Sequence, residues 1–514
     1  MIINTINFLE NTISKFSKKT AIEDNNGTIS FLDLKEEAIK IASKINLLCK
    51  IANQPIGVFL PKSKESVISF LGVNYSGNFY VPLDIKSPKS RLNKIIEKLS
   101  PKLIITNLEG EKILDTINYL GIIVILDKTK MLLVPEGEKE IIINSIGNKI
   151  DTDPVYSIFT SGSTGTPKGV LVSHRGVIDY IEWAIETYNV TEKEIIGSQA
   201  PFYFDNSTLD IYLMLATGAK LIIVPEDKYM FPLRLIDYLK EKQINFVFWV
   251  PSVLVSVANF NALETALPTT LKKILFAGEV MSNKHLNYWR KYFPDALYSN
   301  LYGPTEITVD CTYYIVDREF KDEEPLPIGK PCRNSGVLIL NKNNQLVAGD
   351  EIGELCVRGS SLAFGYYKDP EKTALAFVQN PLNDSYPEII YRTGDLVQYN
   401  NRNEILFLGR KDSQIKHLGY RIELGEIESA FYRYIDLDEA AVVYANHNNV
   451  SKIIGFFVSK KQVPIIQIKE HLQKHLPLYM VPQFLFQIEE IPKNPAGKIN
   501  RVLLSNETFI NDIK

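Results

Sequence analysis

Residues 160–169 (Thr-Ser-Gly-Ser-Thr-Gly-Thr-Pro-Lys-Gly) hold the densest phosphate-binding chemistry in the chain. Thr160, Ser161, Ser163, Thr164 and Thr166 supply hydroxyls, Gly162 and Gly165 free the backbone to turn its N–H groups toward one point, and Lys168 adds a positive charge. Such a loop cradles an anion. It is not a P-loop, which needs glycine just before the lysine and serine or threonine just after it; Pro167 and Gly169 stand there instead, so that motif's Mg-binding hydroxyl is missing. The other chemistry-bearing residue types are more dispersed. Six histidines form no HExxH or HxH spacing, and Cys49, Cys311, Cys332 and Cys356 lie too far apart for a CxxC motif. A metal held by histidines or cysteines is therefore not expected, and the cysteines read as buried free thiols.

These residues must be positioned by a framework that the rest of the chain describes. The sequence has 514 residues, 45% hydrophobic and 23% charged, which is the composition of ordinary globular protein in about three packed units at roughly 150 residues each. With 57 basic and 60 acidic residues no net field favours nucleic acid or an anionic membrane. No apolar run approaches a bilayer span, and the start lacks a basic segment followed by an apolar one, so a cytoplasmic, membrane-free protein is expected. Short β-branched runs at 56–60, 103–106, 122–126, 155–159, 221–224, 246–250 and 274–277 alternate with helical spacing, as at 232–242 and 283–292. That alternation predicts parallel α/β sheets covered on both faces. From 326 to 399 shorter runs (336–340, 353–358, 388–392) separated by Gly, Asn and Asp predict a mostly β subdomain. A polar stretch at 409–419 follows, and the last hundred residues read helix, strand, strand, helix.

The 160–169 loop resembles the phosphate loop of the adenylate-forming superfamily, which includes acyl-CoA synthetases, luciferases and the amino-acid-activating domains of nonribosomal peptide synthesis. Later segments resemble that family in its own order. Residues 300–306 (Asn-Leu-Tyr-Gly-Pro-Thr-Glu) are similar to its adenine and Mg²⁺ segment, 391–395 (Tyr-Arg-Thr-Gly-Asp) to its ribose segment, 409–412 (Gly-Arg-Lys-Asp) to its hinge and 494–498 (Asn-Pro-Ala-Gly-Lys) to its C-terminal lysine loop; 80–84 (Tyr-Val-Pro-Leu-Asp) also fits. The resemblance implies an α/β fold with a large N-terminal domain, 1–410, of two α/β sheets plus a β subdomain at about 326–410, and a small mobile α+β lid, 411–514, hinged near Asp412. It implies ATP and Mg²⁺ as cofactors. ATP would be held by Thr160, Ser161, Gly162, Ser163, Thr164, Gly165, Asn300, Leu301, Tyr302, Gly303, Pro304, Thr305, Asp395, Phe407, Gly409, Arg410 and Lys498. The catalytic set would be Lys498, Glu306, Thr164 and Lys168, with Glu306 as the metal ligand.

Each segment also has a physical reading. Tyr302 can stack on adenine, and the Gly303-Pro304 turn can present backbone groups to the base edge. Glu306 is an oxygen ligand of the kind Mg²⁺ takes, although an isolated Glu is usually a solvated charge. Asp395 can accept from both ribose hydroxyls, or cap a turn. Arg410 can reach ribose or phosphate, or remain a surface cation. An ammonium at Lys498 would stabilise the pentacoordinate α-phosphorus while a carboxylate, already anionic at neutral pH, attacks. By resemblance, the lid then swings about Asp412, Lys498 leaves, and Gly419 lines a tunnel for an incoming pantetheine thiol.

The acid is the remaining question. In family members that activate amino acids, the residue matching Asp205 pairs with the substrate ammonium; taken alone, Asp205 reads as a helix N-cap. By resemblance the pocket comprises Asp205, Asn206, Leu209, Trp249, Leu275, Ala277, Leu301, Val309, Asp310 and Lys498, with Trp249 and Leu301 filling volume around a small side chain. The chain looks similar to D-alanine ligases that load a carrier protein. It departs from them at Ala277, where they place a cysteine, and at Asp310, where they place a small residue; Asp310 could accept a hydroxyl, or sit solvated in a loop. The expected reaction is activation of a small amino acid, alanine, D-alanine or serine, followed by transfer to the phosphopantetheine of a carrier protein. Sixteen residues follow Lys498, too few for a carrier's helical bundle, so the partner is expected in trans and the enzyme as a monomer. The alternative acceptor is CoA, as in an acyl-CoA synthetase.

Overall fold

The computed structural model describes residues 2–50, 52–126, 134–162, 166–434, 437–447, 450–493 and 499–512. The chain divides into two packed units. One comprises 1–85, 99–158 and 169–411; the other comprises 86–98, 159–168 and 412–514.

Two largely parallel sheets form because short runs of branched and aromatic residues alternate with helices that return the chain to the same edge. The seven-stranded sheet runs, in spatial order, Gly365–Tyr366, Lys168–Ser173, Pro154–Thr160, Phe79–Pro82, Pro55–Phe59, Leu103–Thr106 and Ile122–Ile125. The nine-stranded sheet runs Lys330–Pro331, Thr312–Ile315, Leu297–Tyr302, Lys273–Ala277, Phe246–Trp249, Ile195–Ser198, Lys220–Ile223, Thr20–Asp24 and Gly27–Ser30, and the six strands between its antiparallel edges are parallel. The runs expected from β-branched residues are therefore strands, and the expected helices are Pro232–Glu241 and Asn283–Tyr292. An antiparallel sheet follows, built on Ser335–Leu340, Gly353–Gly359, Ile389–Tyr399, Phe377–Gln379 and Ile405–Arg410.

Strand order reverses once in each parallel sheet. The chain leaves Ile195–Ser198 toward Lys220–Ile223 on one side, then places Phe246–Trp249 on the other; Pro55–Phe59 plays the same part between Phe79–Pro82 and Leu103–Thr106. Such switch points leave a crevice beyond the carboxyl ends of the strands, where ligands bind in open α/β sheets. The period of two sorts the buried side chains: Phe246, Phe248, Leu275, Ala277 and Leu301 join one core, while Val247, Trp249, Ile274 and Phe276 join another.

In the smaller unit the hairpin of Gln414–His417 and Tyr420–Glu423 precedes the helix Leu424–Phe431. Its three-stranded sheet pairs Glu439–His447 antiparallel with Val450–Val458, which pairs parallel with Phe484–Gln487. Ala440 and Val442 enter one core and Ala441 and Val443 the other. The helix, strand, strand, helix reading of this region missed the hairpin, expected only as a polar stretch, and the strand at 484–487. Four-residue strands are too short to show a period.

Candidate active site

Four neighbouring strands of the nine-stranded sheet end on residues that the sequence singled out. Asp205 lies in the segment that leaves Ile195–Ser198, and Trp249, Ala277 and Tyr302 are the last residues of their strands. Their order places them side by side along the carboxyl edge, at the switch point.

After Tyr302 the chain doubles back. A Cβ on Gly303 would lie 2.3 Å from Val309 O and 2.5 Å from Asp310 Cα, so glycine is required by the close approach of backbone. The 3₁₀ turn Thr305–Ile307 follows, and then Thr308 and Val309 both hold left-handed backbone, φ 60° and 72°. Two β-branched residues in that region are strained, a condition found at sites where geometry is held by the surroundings. Here the Thr308 hydroxyl donates to Ser361 O at 2.8 Å, and Ala363 N donates to Glu306 O at 2.9 Å.

Glu306 is wholly buried, not a solvated charge, and its Oε1 accepts from Tyr366 at 2.7 Å. The donor set fits Mg²⁺ bound through substrate phosphate: this ion keeps most of its shell as water and phosphate oxygen and takes one or two carboxylates from the protein. Among the described residues no cluster of three or more His, Cys, Asp or Glu could hold a metal by protein ligands alone.

Asp395 is a hub. Tyr302 donates its hydroxyl to Oδ2, Arg410 donates to Oδ1 at 2.6 Å, and Asp395 N is tied to Thr393 Oγ1 at 3.0 Å. Burial, reinforced by the Asp395 charge, holds the Tyr302 hydroxyl well above the usual phenol range, so it remains a donor. Arg410 is thus a partner of the ribose-segment carboxylate, not a surface cation. Phe407 lies 6.2 Å from the Tyr302 ring, Gly409 takes φ 141°, and Asn300 Nδ2 donates to Pro327 O at 2.8 Å. Leu301, Pro304 and Thr305 are buried in the same strand and turn.

The proposed amino-acid pocket is partly gathered. Leu209, Leu275, Ala277, Leu301 and Val309 belong to one buried cluster. Trp249 does not: it packs in the core on the other face, and its indole N–H donates to Gly197 O at 2.8 Å. The period of two places it there, beside Phe276 in register. Asp310 is 2% exposed, not a solvated loop carboxylate, and accepts from Tyr180 at 2.6 Å. Asp205 is 9% exposed; the N-cap reading is corrected, because the cap position of helix Ser207–Thr217 is Asn206.

In the smaller unit Ser161 donates to Arg421 O at 2.7 Å, and a Cβ on Gly162 would lie 2.1 Å from Thr166 O, so the turn needs glycine. Thr160 ends the strand Pro154–Thr160, and Lys168 begins the strand Lys168–Ser173 near Glu423, whose pKa burial raises. Asp412 Oδ1 accepts from Gln414 N at 3.1 Å, and Leu418-Gly419 form the hairpin turn with φ 53° and 80°. Ser163, Thr164, Gly165 and Lys498 lie outside the described residues. Sequence reading missed Tyr180 and Tyr366, each far along the chain from the carboxylate it holds; nothing in their local sequence marks them.

Comparison with known proteins decides the family. The model of the AMP-binding enzyme matches residues 9–367, and that of the AMP-binding enzyme C-terminal domain matches 426–498. This chain belongs to the AMP-binding enzyme family. It is an adenylate-forming ligase with the α/β fold expected above. As an AMP-binding enzyme it is 32% identical over 513 residues to zwittermicin A synthase ZmaJ of Bacillus cereus, covering 96% of this chain and 93% of ZmaJ. It is 31% identical to gramicidin S synthase 1 of Brevibacillus brevis, but spans only 43% of that protein. Its fold is that of the Vibrio cholerae adenylation domain AlmE in complex with glycyl-adenosine-5'-phosphate: TM-score 0.86, 21% identity, 100% of this chain and 98% of that one.

Proposed function

We propose that this AMP-binding enzyme activates a small amino acid, alanine, D-alanine or serine, and passes it to the phosphopantetheine thiol of a carrier protein met in trans. The observation that carries the reading is Asp205, a nearly buried carboxylate at the switch point, next to a helix whose Leu209 shares a core with Leu275, Ala277 and Leu301. An ammonium is the natural partner of a carboxylate in such an apolar setting. A nonribosomal peptide synthetase of the same fold bound to AMP and glycine, and the glycyl adenylate in the AlmE structure, support an amino acid. Tyr180 holds Asp310 in place, and a serine hydroxyl could donate to that carboxylate, which keeps serine beside alanine.

In the first step a substrate carboxylate oxygen bonds to the α-phosphorus of ATP, the bond to the β-phosphate bridge breaks, and pyrophosphate leaves. Asp395 and Tyr302 position the nucleoside, Glu306 is the ligand for Mg²⁺, which when bound neutralises phosphate charge, and Lys498 stabilises the α-phosphoryl charge. In the second step the thiolate sulfur bonds to the carbonyl carbon and AMP leaves. Residues 411–514 act as a lid that turns about Asp412 between the steps, exchanging Lys498 for Gly419. Four free cysteines, three of them buried, suit a reducing compartment such as the cytoplasm, and among the described residues no helix is long and apolar enough to cross a membrane.

The test is ATP–pyrophosphate exchange against D-alanine, L-alanine, glycine, L-serine and charged amino acids, with mass spectrometry of carrier protein against CoA as acceptor. Exchange with a small amino acid is expected, and Asp205→Ala should lower kcat/KM for it by about 100-fold or more, the loss that follows when a buried charge loses its partner. Exchange supported only by fatty or aromatic acids would end the reading.

A further inference from the structure

The segment 199–206, which carries Asp205, has little regular structure of its own, and the Asn206 side chain at the head of the next helix makes no cap hydrogen bond. Besides Val250 N, which donates to Gln199 Oε1, and the Phe70 ring against Phe202, a group reaches it from the other parallel sheet: Lys62, three residues beyond the strand Pro55–Phe59 that forms that sheet's switch point. Its ammonium donates to Ser198 O and to Gln199 O, each at 2.9 Å, where the segment begins. It lies 5.5 Å from the centre of the Phe202 ring, in the middle of the segment. Its charge also acts through space on Asp210, in the first turn of the helix Ser207–Thr217 that follows the segment.

Asp210 is fully buried, and neither of its carboxylate oxygens closes a hydrogen bond of normal geometry among the described residues. The Lys62 charge and the neighbouring Ser198 hydroxyl are what favour its ionised form against burial. The Lys62 residue as a whole is half-buried, yet its ammonium is desolvated, so only its stem meets solvent. Two desolvated charges are costly to fold around, and a buried ionic pair is better suited to fixing one geometry than to adding stability. The contacts of Lys62 fall at Ser198, Gln199 and Phe202, the start and middle of the segment.

We infer that Lys62 is a positioning residue for the amino acid: one ammonium fixes the start and middle of the segment that presents Asp205. This rests on the proposed amino-acid reading, and it adds a residue that never touches the substrate. Because the nucleotide segments 300–306 and 391–395 are anchored elsewhere, by Ala363, Tyr366, Leu355 and Arg410, loss of the clamp should weaken amino-acid binding and spare ATP.

The experiment compares Lys62→Met, Lys62→Arg and the double variant Lys62→Met/Asp210→Asn, which removes the carboxylate that the single change strands. The full-length protein is used throughout. In ATP–pyrophosphate exchange, the KM for the amino acid should rise about 10-fold or more in the methionine variants while the KM for ATP stays within about 2-fold, and Lys62→Arg should recover most of the loss. Hydrogen exchange of amides 199–206 should accelerate relative to those of the strand Phe246–Trp249. A folded double variant with an unchanged amino-acid KM and unchanged exchange at 199–206 would overturn the clamp, as would an equal rise in both KM values. If the wild-type protein supports exchange with no amino acid, the amino-acid reading fails, while amide exchange at 199–206 still decides whether Lys62 holds the segment.

Discussion

His174 shows how a single residue ties stability to pH. It opens the helix His174–Tyr188, is 4% exposed, and its Nδ1 accepts from Thr5 N at 3.2 Å with Thr5 Oγ1 at 3.0 Å. Accepting an N–H requires an unprotonated Nδ1. Burial, with help from the Lys149 charge, lowers its pKa to about 4, and burial does the same to His417 in the smaller unit. A histidine depressed in the folded state binds its proton more readily when unfolded, so stability is complete above the unfolded value near 6.5 and declines as pH falls toward 4. We expect the unfolding free energy from urea titrations to drop across that window by up to about 1.4 kcal/mol per pH unit for each histidine. His174→Gln, which keeps an acceptor for Thr5, should flatten the decline, and a profile unchanged by that substitution would contradict the account. The site residues divide in the same way. Asp395 and Glu306 were marked by their neighbours in sequence, whereas burial and the partners Tyr302, Arg410 and Tyr366 could be read only from the fold.

The element that most constrains the site is the turn 303–310. Its Gly-Pro pair announced a turn, but nothing local announced that Thr308 and Val309 would be driven into left-handed backbone, because the forces come from Ser361 and Ala363 on the approach to the next strand. Gly303→Ala tests the turn. The methyl group meets backbone atoms that cannot rotate away, so the thermal midpoint should fall by several degrees, matching about 2 kcal/mol or more of overpacking, and the KM values for both substrates should rise. Gly137→Ala is the control: its Cβ meets nothing within 4 Å in the helix Glu136–Ser145, and the change should be neutral or stabilising by about 0.5 kcal/mol. Differential scanning fluorimetry of the two variants separates a packed turn from a generic intolerance of added bulk.

At the scale of the molecule, the proposed adenylation and thiol-transfer steps would make opposite demands, since a cationic group needed at the α-phosphate would obstruct an incoming thiol. Lys498→Ala should therefore abolish pyrophosphate exchange while thioester formation from a supplied aminoacyl-adenylate survives. Equal loss of both half-reactions would sink the proposed exchange of Lys498 for Gly419.

The sequence by itself determined the chemistry and the class of fold. Phosphate-loop hydroxyls, the Glu306 and Asp395 carboxylates and the alternation of apolar runs with helices are local signals, and short-range physics suffices to read them. It did not determine which side chains stand together. Trp249 was assigned to the pocket, but the period of two in its strand, set by pairing with Phe276, turns it to the opposite core. Asp205 was legible as a carboxylate before a helix, yet the ammonium that fixes its segment lies 143 positions earlier in the chain, as the two residue numbers show. Tertiary structure decided these matters because burial and charge pairing act through space. Two strands that are neighbours in neither sequence nor sheet can meet at the switch points where their sheets reverse order.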